Sequence, residues 1–112
     1  MAVNTRILFT DLDGTLLNDN KEISEGNRAA VEEALAAGHK IVVSTGRALA
    51  SGLQIAERVG LIGKGCYVIA FNGGQIYDPY HRKTIHGVTF PRDTAVEIFE
   101  KAAERNLYMQ AY

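Results

Sequence analysis

The sequence has little of the chemistry that stabilises secreted proteins or anchors membrane proteins. It contains one cysteine, Cys66, and no tryptophan among 112 residues. A lone cysteine excludes an internal disulfide and fits a reducing compartment, so we expect a cytoplasmic protein. No apolar run approaches the roughly 18 residues that a membrane-spanning helix needs. The apolar run at 7–9 is cut off by Thr10 and Asp11, which argues against a secretory signal.

The sequence also lacks an excess of charge of either sign. Lys and Arg number 12 against 13 Asp and Glu, which gives a formal net charge of −1, and the basic residues are scattered rather than striped. No global field therefore attracts nucleic acid or anionic lipid, and neither is expected as a partner. The hydrophobic fraction of 46% is that of a globular chain with a core, not of a disordered one.

What is present is a regular alternation of strand and helix patterns over residues 1–74. Apolar, β-branched runs appear in "RILFTD", "HKIVVSTG" and "CYVIAFNGG", and they predict three strands. The two segments between them carry helical periodicity. The first has Ser24 as a plausible N-cap and Gly38 beyond its end, and the second stops at Gly60. The order β-α-β-α-β is typical of a parallel α/β sheet with right-handed crossovers.

The pattern changes from residue 75 onward. "QIYDPYHRKTIHGVTF" predicts a hairpin with Asp78 and Pro79 in its turn, and Pro91 suits the first turn of a helix. An apolar helical stripe follows at Ala95, Ile98, Phe99 and Ala102, and the segment 107–112 is predicted to be a strand. We therefore expect a second, α+β region over 75–112.

Polar side chains follow each of the three predicted parallel strands. "DLDGT" begins at Asp11, "STGR" at Ser44, and "NGG" at Asn72. The carboxyl ends of parallel strands meet at one edge of a sheet, where ligands bind. Hydroxyls and glycine amides there form an anion site, and carboxylates beside a phosphate need a cation such as Mg²⁺ between them. The group set predicts metal-assisted phosphoryl chemistry.

The spacing of Asp11 and Asp13 gives each a candidate role. On an extended segment both would lie on the same side. Asp11 could attack phosphorus and form an aspartyl-phosphate, while Asp13 could protonate the leaving oxygen and later deprotonate water. Gly14 would allow a tight backbone turn next to the substrate.

These stretches together resemble a known enzyme family. "DLDGTLLN" matches the first motif, DxDGT, of the haloacid-dehalogenase-like phosphohydrolases, and "IVVSTGR" matches their second. With "FNGG" added, the sequence is similar to the Cof-like subfamily of sugar-phosphate phosphatases. The resemblance implies a partial Rossmann-like parallel sheet with three βα strands at 1–74, forming the first half of the core domain. Residues 75–112 would then be the beginning of an α+β cap.

The resemblance also implies roles for individual residues. Asp11 would be the nucleophile and a Mg²⁺ ligand, and Asp13 would be the general acid/base and bind Mg²⁺ through its main-chain carbonyl. Thr15 would shape the turn behind the nucleophile, Asn72 would orient groups near the site, and Arg47 would either face the substrate or anchor its loop. The phosphate would be held by hydroxyl and backbone groups of Leu12, Gly14, Thr45 and Gly46.

The family pattern also has a third-motif lysine and a fourth-motif acidic pair, on strands that follow the cap. Neither occurs in this sequence, and Lys64 and Lys101 stand in the wrong context. We therefore expect the sequence to be the N-terminal part of such a phosphatase, nearly inactive alone. Its first strand would be an edge strand with an apolar face, which predicts self-association.

Two other functions fit parts of the pattern. A receiver-like phospho-acceptor domain also has a βαβ core, but its phosphorylated aspartate follows the third strand, where this sequence has Asn72. A truncated, non-catalytic binding or assembly piece is the other alternative. The enzyme interpretation predicts a small phosphorylated metabolite, such as a sugar phosphate, as the binding partner.

Overall fold

The computed structural model describes residues 4–112, so the first three residues of the predicted core half lie outside the described residues. The elements confirm an α/β fold, and a short 3₁₀ turn at Phe71–Gly73 separates its third and fourth strands. None of the helices in the described part of the chain is long and apolar enough to cross a membrane. The strands and helices are β1 (Ile7–Thr10), α1 (Glu25–Ala36), β2 (Lys40–Ser44), α2 (Leu49–Arg58), β3 (Val68–Ala70), β4 (Gln75–Asp78), β5 (Lys83–Gly87) and α3 (Arg92–Glu104).

The five strands form one sheet in the order β1-β2-β3-β4-β5. Strand β2 pairs in parallel with β1 on one side and with β3 on the other, with Phe9 opposite Val42 and Val43 opposite Val68. This confirms the predicted parallel arrangement. The carboxyl ends of the three strands consequently lie at the same edge of the sheet.

Helix α1 begins and ends where the sequence predicts, and α2 ends before the predicted Gly60. The Ser24 hydroxyl accepts a hydrogen bond from the Asn27 N–H at 3.1 Å, which satisfies one free donor at the start of α1. Gly38 and Gly60 follow the two helices with φ of +88° and +80°, a conformation that glycine adopts without the steric cost of a Cβ. These caps keep the connections from helix to strand short. The crossovers bring β1, β2 and β3 into parallel pairing, so their carboxyl ends lie at the same edge of the sheet.

The hydrophobic core lies around β2. Its three central side chains are almost completely buried, and α1 and α2 cover the sheet with Val31, Ile55 and Ala56. The loop after β1 also contributes, because three of its leucines are buried in the same cluster. Complete burial of one such side chain stabilises the fold by roughly 1.5–3 kcal/mol, so this loop is anchored by its own apolar residues. The residues concerned are Ile41, Val42 and Val43 of β2 and Leu12, Leu16 and Leu17 of the loop.

The predicted hairpin is confirmed, and it continues the same sheet. Strand β4 pairs antiparallel with β3, and β5 pairs antiparallel with β4. The buried Asp78 carboxylate organises the turn by accepting the N–H groups of Tyr80 at 3.0 Å and His81 at 3.1 Å. The hydrogen bond from the His81 ring, 2.7 Å long, lowers the pKa of Asp78. The switch from parallel to antiparallel pairing falls at residues 71–74, and a domain boundary there stays a prediction.

Helix α3 is present, but it buries little of its apolar stripe. Ile98 and Phe99 remain 39% and 38% exposed, whereas Ala102 is buried. The predicted strand at 107–112 is wrong: this segment has no strand structure. No strand in the described part of the chain lies beside it to accept and donate the backbone hydrogen bonds that a strand needs. The Leu107 N–H instead closes the end of α3 by bonding to the Ala102 carbonyl at 2.9 Å.

Strand β1 lies at the edge of the sheet, as the sequence predicts. Ile7, Leu8 and Phe9 are 56%, 59% and 60% exposed. Because successive strand residues point to opposite faces, both faces of β1 are exposed within residues 4–112. No described strand pairs with its outer row of N–H and C=O groups.

Candidate active site

The loops that follow β1, β2 and β3 enclose a cleft of about 490 Å³ at the carboxyl edge of the sheet. Four of the predicted site residues line it: Asp11, Thr45, Gly46 and Asn72. Parallel pairing explains this convergence, since it places the ends of all three strands side by side. The cleft therefore contains a carboxylate, a hydroxyl, a glycine backbone and an amide.

Asp11 is exposed to this cleft immediately beyond the last residue of β1. Its Oδ1 accepts the backbone N–H of Leu12 at 2.7 Å, while the Leu12 side chain is completely buried. The N–H that the family resemblance assigns to a phosphate thus donates to the candidate nucleophile in this state. Because the buried Leu12 side chain holds its own backbone in place, this hydrogen bond restrains one carboxylate oxygen of Asp11.

The chain turns sharply directly after the two aspartates. Gly14 has φ of +73°, where an L side chain would be strained. The Thr15 N–H bonds to the Leu12 carbonyl at 3.2 Å, and the Leu17 N–H bonds to the same carbonyl at 2.9 Å. Gly14 and Thr15 therefore form the turn behind Asp11, and the buried leucines that follow hold it against the core.

Thr45 follows β2, hydrogen-bonds to β3 and lines the cleft. It is buried, and its N–H donates to the Ile69 carbonyl of β3 at 2.8 Å. Its hydroxyl accepts the Arg47 N–H at 3.1 Å, which leaves the hydroxyl hydrogen free to donate to a ligand. A hydroxyl donor held in this way suits an anion in the cleft.

Asn72 ties the third loop to the second. Its N–H donates to the Thr45 carbonyl at 3.1 Å, and the Phe71 N–H donates to the Arg47 carbonyl at 2.9 Å. Phe71 and Asn72 have φ of +53° and +55°, and such local strain persists only where surrounding contacts impose it. The Asn72 side chain also lies over Gly46, so closely that a Cβ there would be 2.9 Å from Asn72 Oδ1.

Asp13 lies beside the cleft in a cluster of charges. Arg47 donates two hydrogen bonds to the Asp13 carboxylate, from Nε to Oδ2 at 2.8 Å and from Nη2 to Oδ1 at 2.7 Å. Lys21 Nζ adds a contact to Oδ1 at 3.0 Å, and Arg47 Nη1 donates to Ser51 Oγ at 2.8 Å. The hydrogen bonds from Arg47, and then from Lys21, hold the pKa of Asp13 well below its usual range. Asp13 in turn raises the pKa of Arg47.

Lys21 and Ser51 are the two members of this cluster that sequence reasoning missed. Lys21 reaches Asp13 because its loop is closed by Asn18, whose Oδ1 accepts the N–H groups of Asn20 at 2.9 Å and Glu22 at 3.0 Å. Lys21 itself has φ of +61°. The asparagines of "NDNKE" are the one signal of such a closed loop, because asparagine side chains stabilise turns.

The metal-binding capacity of the site is small. Within residues 4–112, no cluster of three or more His, Cys, Asp or Glu side chains could hold a metal ion. Of the two candidate ligands, the Asp13 carboxylate is occupied by Arg47 and Lys21, which leaves the Asp11 carboxylate and the Asp13 main-chain carbonyl. Both are the oxygen donors that Mg²⁺ prefers, but Mg²⁺ takes six ligands and would keep mostly water here.

The contact between Gly46 and Asn72 makes a prediction about stability. Gly46→Ala should force the Asn72 side chain off its rotamer and lower the free energy of unfolding by about 1 kcal/mol. In an Asn72→Gly background the same substitution should cost less than about 0.5 kcal/mol, because the clashing atoms are gone. Urea denaturation of the four proteins measures both values.

Gly26→Ala is the matched control for that cycle, since a Cβ at Gly26 would meet nothing within 4 Å. It should leave stability unchanged or raise it slightly, because alanine is the better helix former. An equal penalty for Gly46→Ala in both backgrounds would contradict the proposed contact.

The Asp13 cluster makes a prediction about titration. In ¹³C NMR the Asp13 carboxyl should titrate well below its ordinary value of 3.8. Lys21→Met should raise its pKa, and Arg47→Met should raise it further, because the Arg47 hydrogen bonds are the larger cause. A lowered pKa in the folded state means that these ion pairs stabilise the fold above about pH 3.8 and lose that effect on acidification.

The control is Arg58→Met, which removes an exposed arginine at the end of α2. It should leave the Asp13 titration unchanged. An ordinary Asp13 titration in the unsubstituted protein would show that the ion pairs do not form in solution.

The arrangement has relatives among known proteins. The family model described as haloacid dehalogenase-like hydrolase matches residues 8–112. The phosphatase YwpJ of Bacillus subtilis (strain 168) is 35% identical over 107 residues, which cover 96% of this chain and 36% of the relative. YcsE of the same organism, named a 5-amino-6-(5-phospho-D-ribitylamino)uracil phosphatase, is 39% identical over 88 residues, covering 75% of this chain and 34% of the relative.

Solved structures agree with the sequence relatives. A haloacid dehalogenase-like hydrolase from Bacteroides thetaiotaomicron superimposes with a TM-score of 0.80 at 26% identity, over 91% of this chain and 38% of that one. The chain thus spans little more than a third of the length of each of these three proteins. The family model covers nearly the whole sequence, including every residue that lines the cleft. The chain belongs to the haloacid dehalogenase-like hydrolase family.

Proposed function

We propose that this chain carries part of the active site of a Mg²⁺-dependent phosphatase that hydrolyses phosphate monoesters of small metabolites. Sugar phosphates and similar compounds are the substrate class that its Cof-like motifs suggest, and the free Cys66 thiol fits a cytoplasmic location. The observation that carries the proposal is the cleft in which the exposed Asp11 carboxylate shares one cavity with Thr45 and Gly46. A nucleophile beside anion-binding groups is the arrangement that phosphoryl transfer needs.

The proposed reaction has two steps. In the first, an Asp11 carboxylate oxygen bonds to phosphorus, the ester P–O bond breaks, and the departing alcohol oxygen takes a proton from Asp13. In the second, Asp13 removes a proton from water, the water oxygen bonds to phosphorus, and the aspartyl-phosphate bond breaks. Inorganic phosphate leaves and Asp11 is regenerated as a carboxylate. The Thr45 hydroxyl and the Gly46 N–H hold the phosphoryl oxygens throughout.

The ion pairs of Asp13 impose a condition on this reaction. An acid must hold a proton, whereas Arg47 and Lys21 favour the ionised carboxylate. Asp13 can therefore act as the acid only when the Arg47 guanidinium has moved away from it. The substrate phosphate is an anion that guanidinium binds well, so it is suited to compete for Arg47.

Mg²⁺ would be held by the Asp11 carboxylate and the Asp13 main-chain carbonyl. When bound it would neutralise charge on the phosphate and so reduce the repulsion from Asp11. Two protein ligands give weak binding, and the described residues add no cluster of further ligands. We therefore expect the 112-residue chain alone to be nearly inactive.

The nucleophile assignment is tested without turnover by beryllium trifluoride, which mimics a phosphoryl group on an aspartate. With Mg²⁺ present, ¹⁹F NMR should show bound fluoride signals for the unsubstituted chain, and Asp11→Asn should abolish them because the amide cannot form the bond. Asp19→Asn is the matched control, since Asp19 is an exposed carboxylate of the same loop outside the cleft.

A turnover assay with an aryl phosphate accompanies that experiment. We expect rates near the buffer background for the isolated chain, with or without Mg²⁺. Robust Mg²⁺-dependent turnover would contradict the expected inactivity, and bound beryllium fluoride on Asp11→Asn would contradict the nucleophile.

A second function is favoured by the open edge strand: the chain could act as an assembly piece that pairs through β1. The three exposed apolar side chains of β1 lie beside a row of backbone groups that no strand in the described part of the chain pairs with, and such edges template pairing with another strand. Self-association through β1 would involve Phe9, which also lines the cleft, but none of the candidate site residues.

Light scattering coupled to size exclusion tests this second function. Concentration-dependent dimers are expected, and Leu8→Lys should weaken them because a charged edge opposes pairing. Ile85→Lys, on the exposed strand β5 at the opposite edge, is the matched control and should leave the dimer intact. A clean monomer at high concentration would refute association through β1.

A further inference from the structure

The loop between β1 and α1 folds into a small hairpin, residues 17–23, whose tip carries Lys21. A bridge between Leu17 and Ile23 closes its base, and Leu17 is buried in the core. Above the base, the Asn18 N–H donates to the Glu22 carbonyl at 2.8 Å, and the Lys21 N–H donates to the Asn18 carbonyl at 2.9 Å. The hairpin is therefore closed by its own hydrogen bonds and attached to the core at its base.

The backbone of Lys21 has a conformation that residues other than glycine rarely adopt. Its φ is +61°, and such a conformation persists where neighbouring contacts impose it. Asn18 supplies those contacts, because its carbonyl accepts the Lys21 N–H and its Oδ1 accepts the Glu22 N–H at 3.0 Å. From this position Lys21 Nζ donates to Asp13 Oδ1 at 3.0 Å. The hairpin backbone therefore places this charge beside Asp13.

The two carboxylate oxygens of Asp13 have different partners. Oδ1 accepts hydrogen bonds from both Lys21 Nζ and Arg47 Nη2, the latter at 2.7 Å. Within residues 4–112, Oδ2 has one partner, Arg47 Nε, at 2.8 Å. If the Arg47 side chain left, Oδ2 would become free while Oδ1 stayed bound to Lys21.

The two cations differ in how they can respond to a phosphate in the cleft. Arg47 directly follows Gly46, which lines the cleft, and a guanidinium can bind two phosphate oxygens at once. Only its side chain has to turn, because its N–H is bonded to Thr45 Oγ1 and its carbonyl accepts the Phe71 N–H. Lys21 stands on the other loop, outside the set of residues that line the cleft. A phosphate there should therefore attract Arg47 and leave Lys21 in place.

We propose that Lys21 is a positioning residue, which keeps its hold on Asp13 Oδ1 when Arg47 turns to the phosphate and so presents Oδ2 for proton transfer. This inference rests on the proposed phosphatase function and adds to it a residue outside the matched motifs. In the first step Oδ2 gives its proton to the departing alcohol oxygen, and in the second step it takes a proton from water. Without Lys21 the carboxylate would rotate freely once Arg47 had left.

Arg47→Met tests the proposal, because it removes the guanidinium without any ligand. In this variant Asp13 should keep a single χ1 rotamer, which the three-bond NMR couplings from its backbone N and carbonyl carbon to Cγ measure. The Lys21 ammonium group should keep its scalar coupling to Asp13 Cγ across the hydrogen bond. When Lys21→Met is added, the Asp13 couplings should fall to rotamer-averaged values. Averaging in Arg47→Met itself, or a single rotamer in the double variant, would overturn the proposal.

Three further substitutions in the Arg47→Met background locate the effect. Lys64→Met removes an exposed lysine of another loop and should leave the single Asp13 rotamer unchanged. Asn18→Ala opens the hairpin and should abolish the lysine coupling. Asn20→Ala is its matched control, because the bond from Asn20 to Asn18 uses the backbone N–H, which alanine retains. A lysine coupling that survives Asn18→Ala would contradict placement by the hairpin.

Inorganic phosphate, added to the unsubstituted chain with Mg²⁺, separates this role from the proposed function. The Arg47 Nε–H signal should shift with phosphate concentration, while Lys21 keeps its coupling to Asp13. A Lys21 coupling that disappears as the Arg47 signal shifts would overturn the proposal. If phosphate shifts neither signal, the phosphate site of the proposed function fails, and the couplings of the substituted chains still decide whether Lys21 positions Asp13.

Discussion

The parallel pairing of β2 with both β1 and β3 is the constraint on which the rest of this structure depends. Three loops reach one edge of the sheet because their strands run in the same direction and are fully paired at the centre. Burial of the β2 side chains maintains that pairing, since a register shift of one residue would turn core residues toward the wrong face. The cleft contains no element of its own. It is the space left between three strand ends that the core aligns.

Within that frame, the loops constrain one another through hydrogen bonds and close packing. Asn72 donates to Thr45 and covers Gly46, Phe71 donates to Arg47, and Leu12 donates to Asp11. The candidate site is therefore assembled chiefly from backbone groups, which fix the positions of the candidate anion-binding atoms. The charged side chains of Asp13, Arg47 and Lys21 form a second, separate set of contacts. Arg47 of the second loop binds Asp13 of the first, so an electrostatic contact joins these two loops beside the cleft.

Much of the fold could be predicted because local chemistry specifies it. The caps at Ser24, Gly38 and Gly60 act over a few residues, and the apolar run of β2 is typical of a parallel strand covered on both sides. The segment 107–112 shows where such reasoning stops, because a strand-like pattern forms a strand only where a neighbour offers a ladder. The hairpin of β4 and β5 was predictable from the turn residues Asp78 and Pro79. Its addition to the edge of β3 depended on which backbone groups were left unpaired.

The sequence by itself determined the order of the elements, the type of each group at the three strand ends, and the family, because spacing and residue identity are local properties. The tertiary structure alone decided which groups meet. It paired Asp13 with Arg47, 34 positions away, and with Lys21 through a loop closed by Asn18. Such contacts depend on distances through space, which the core sets and the sequence pattern does not encode.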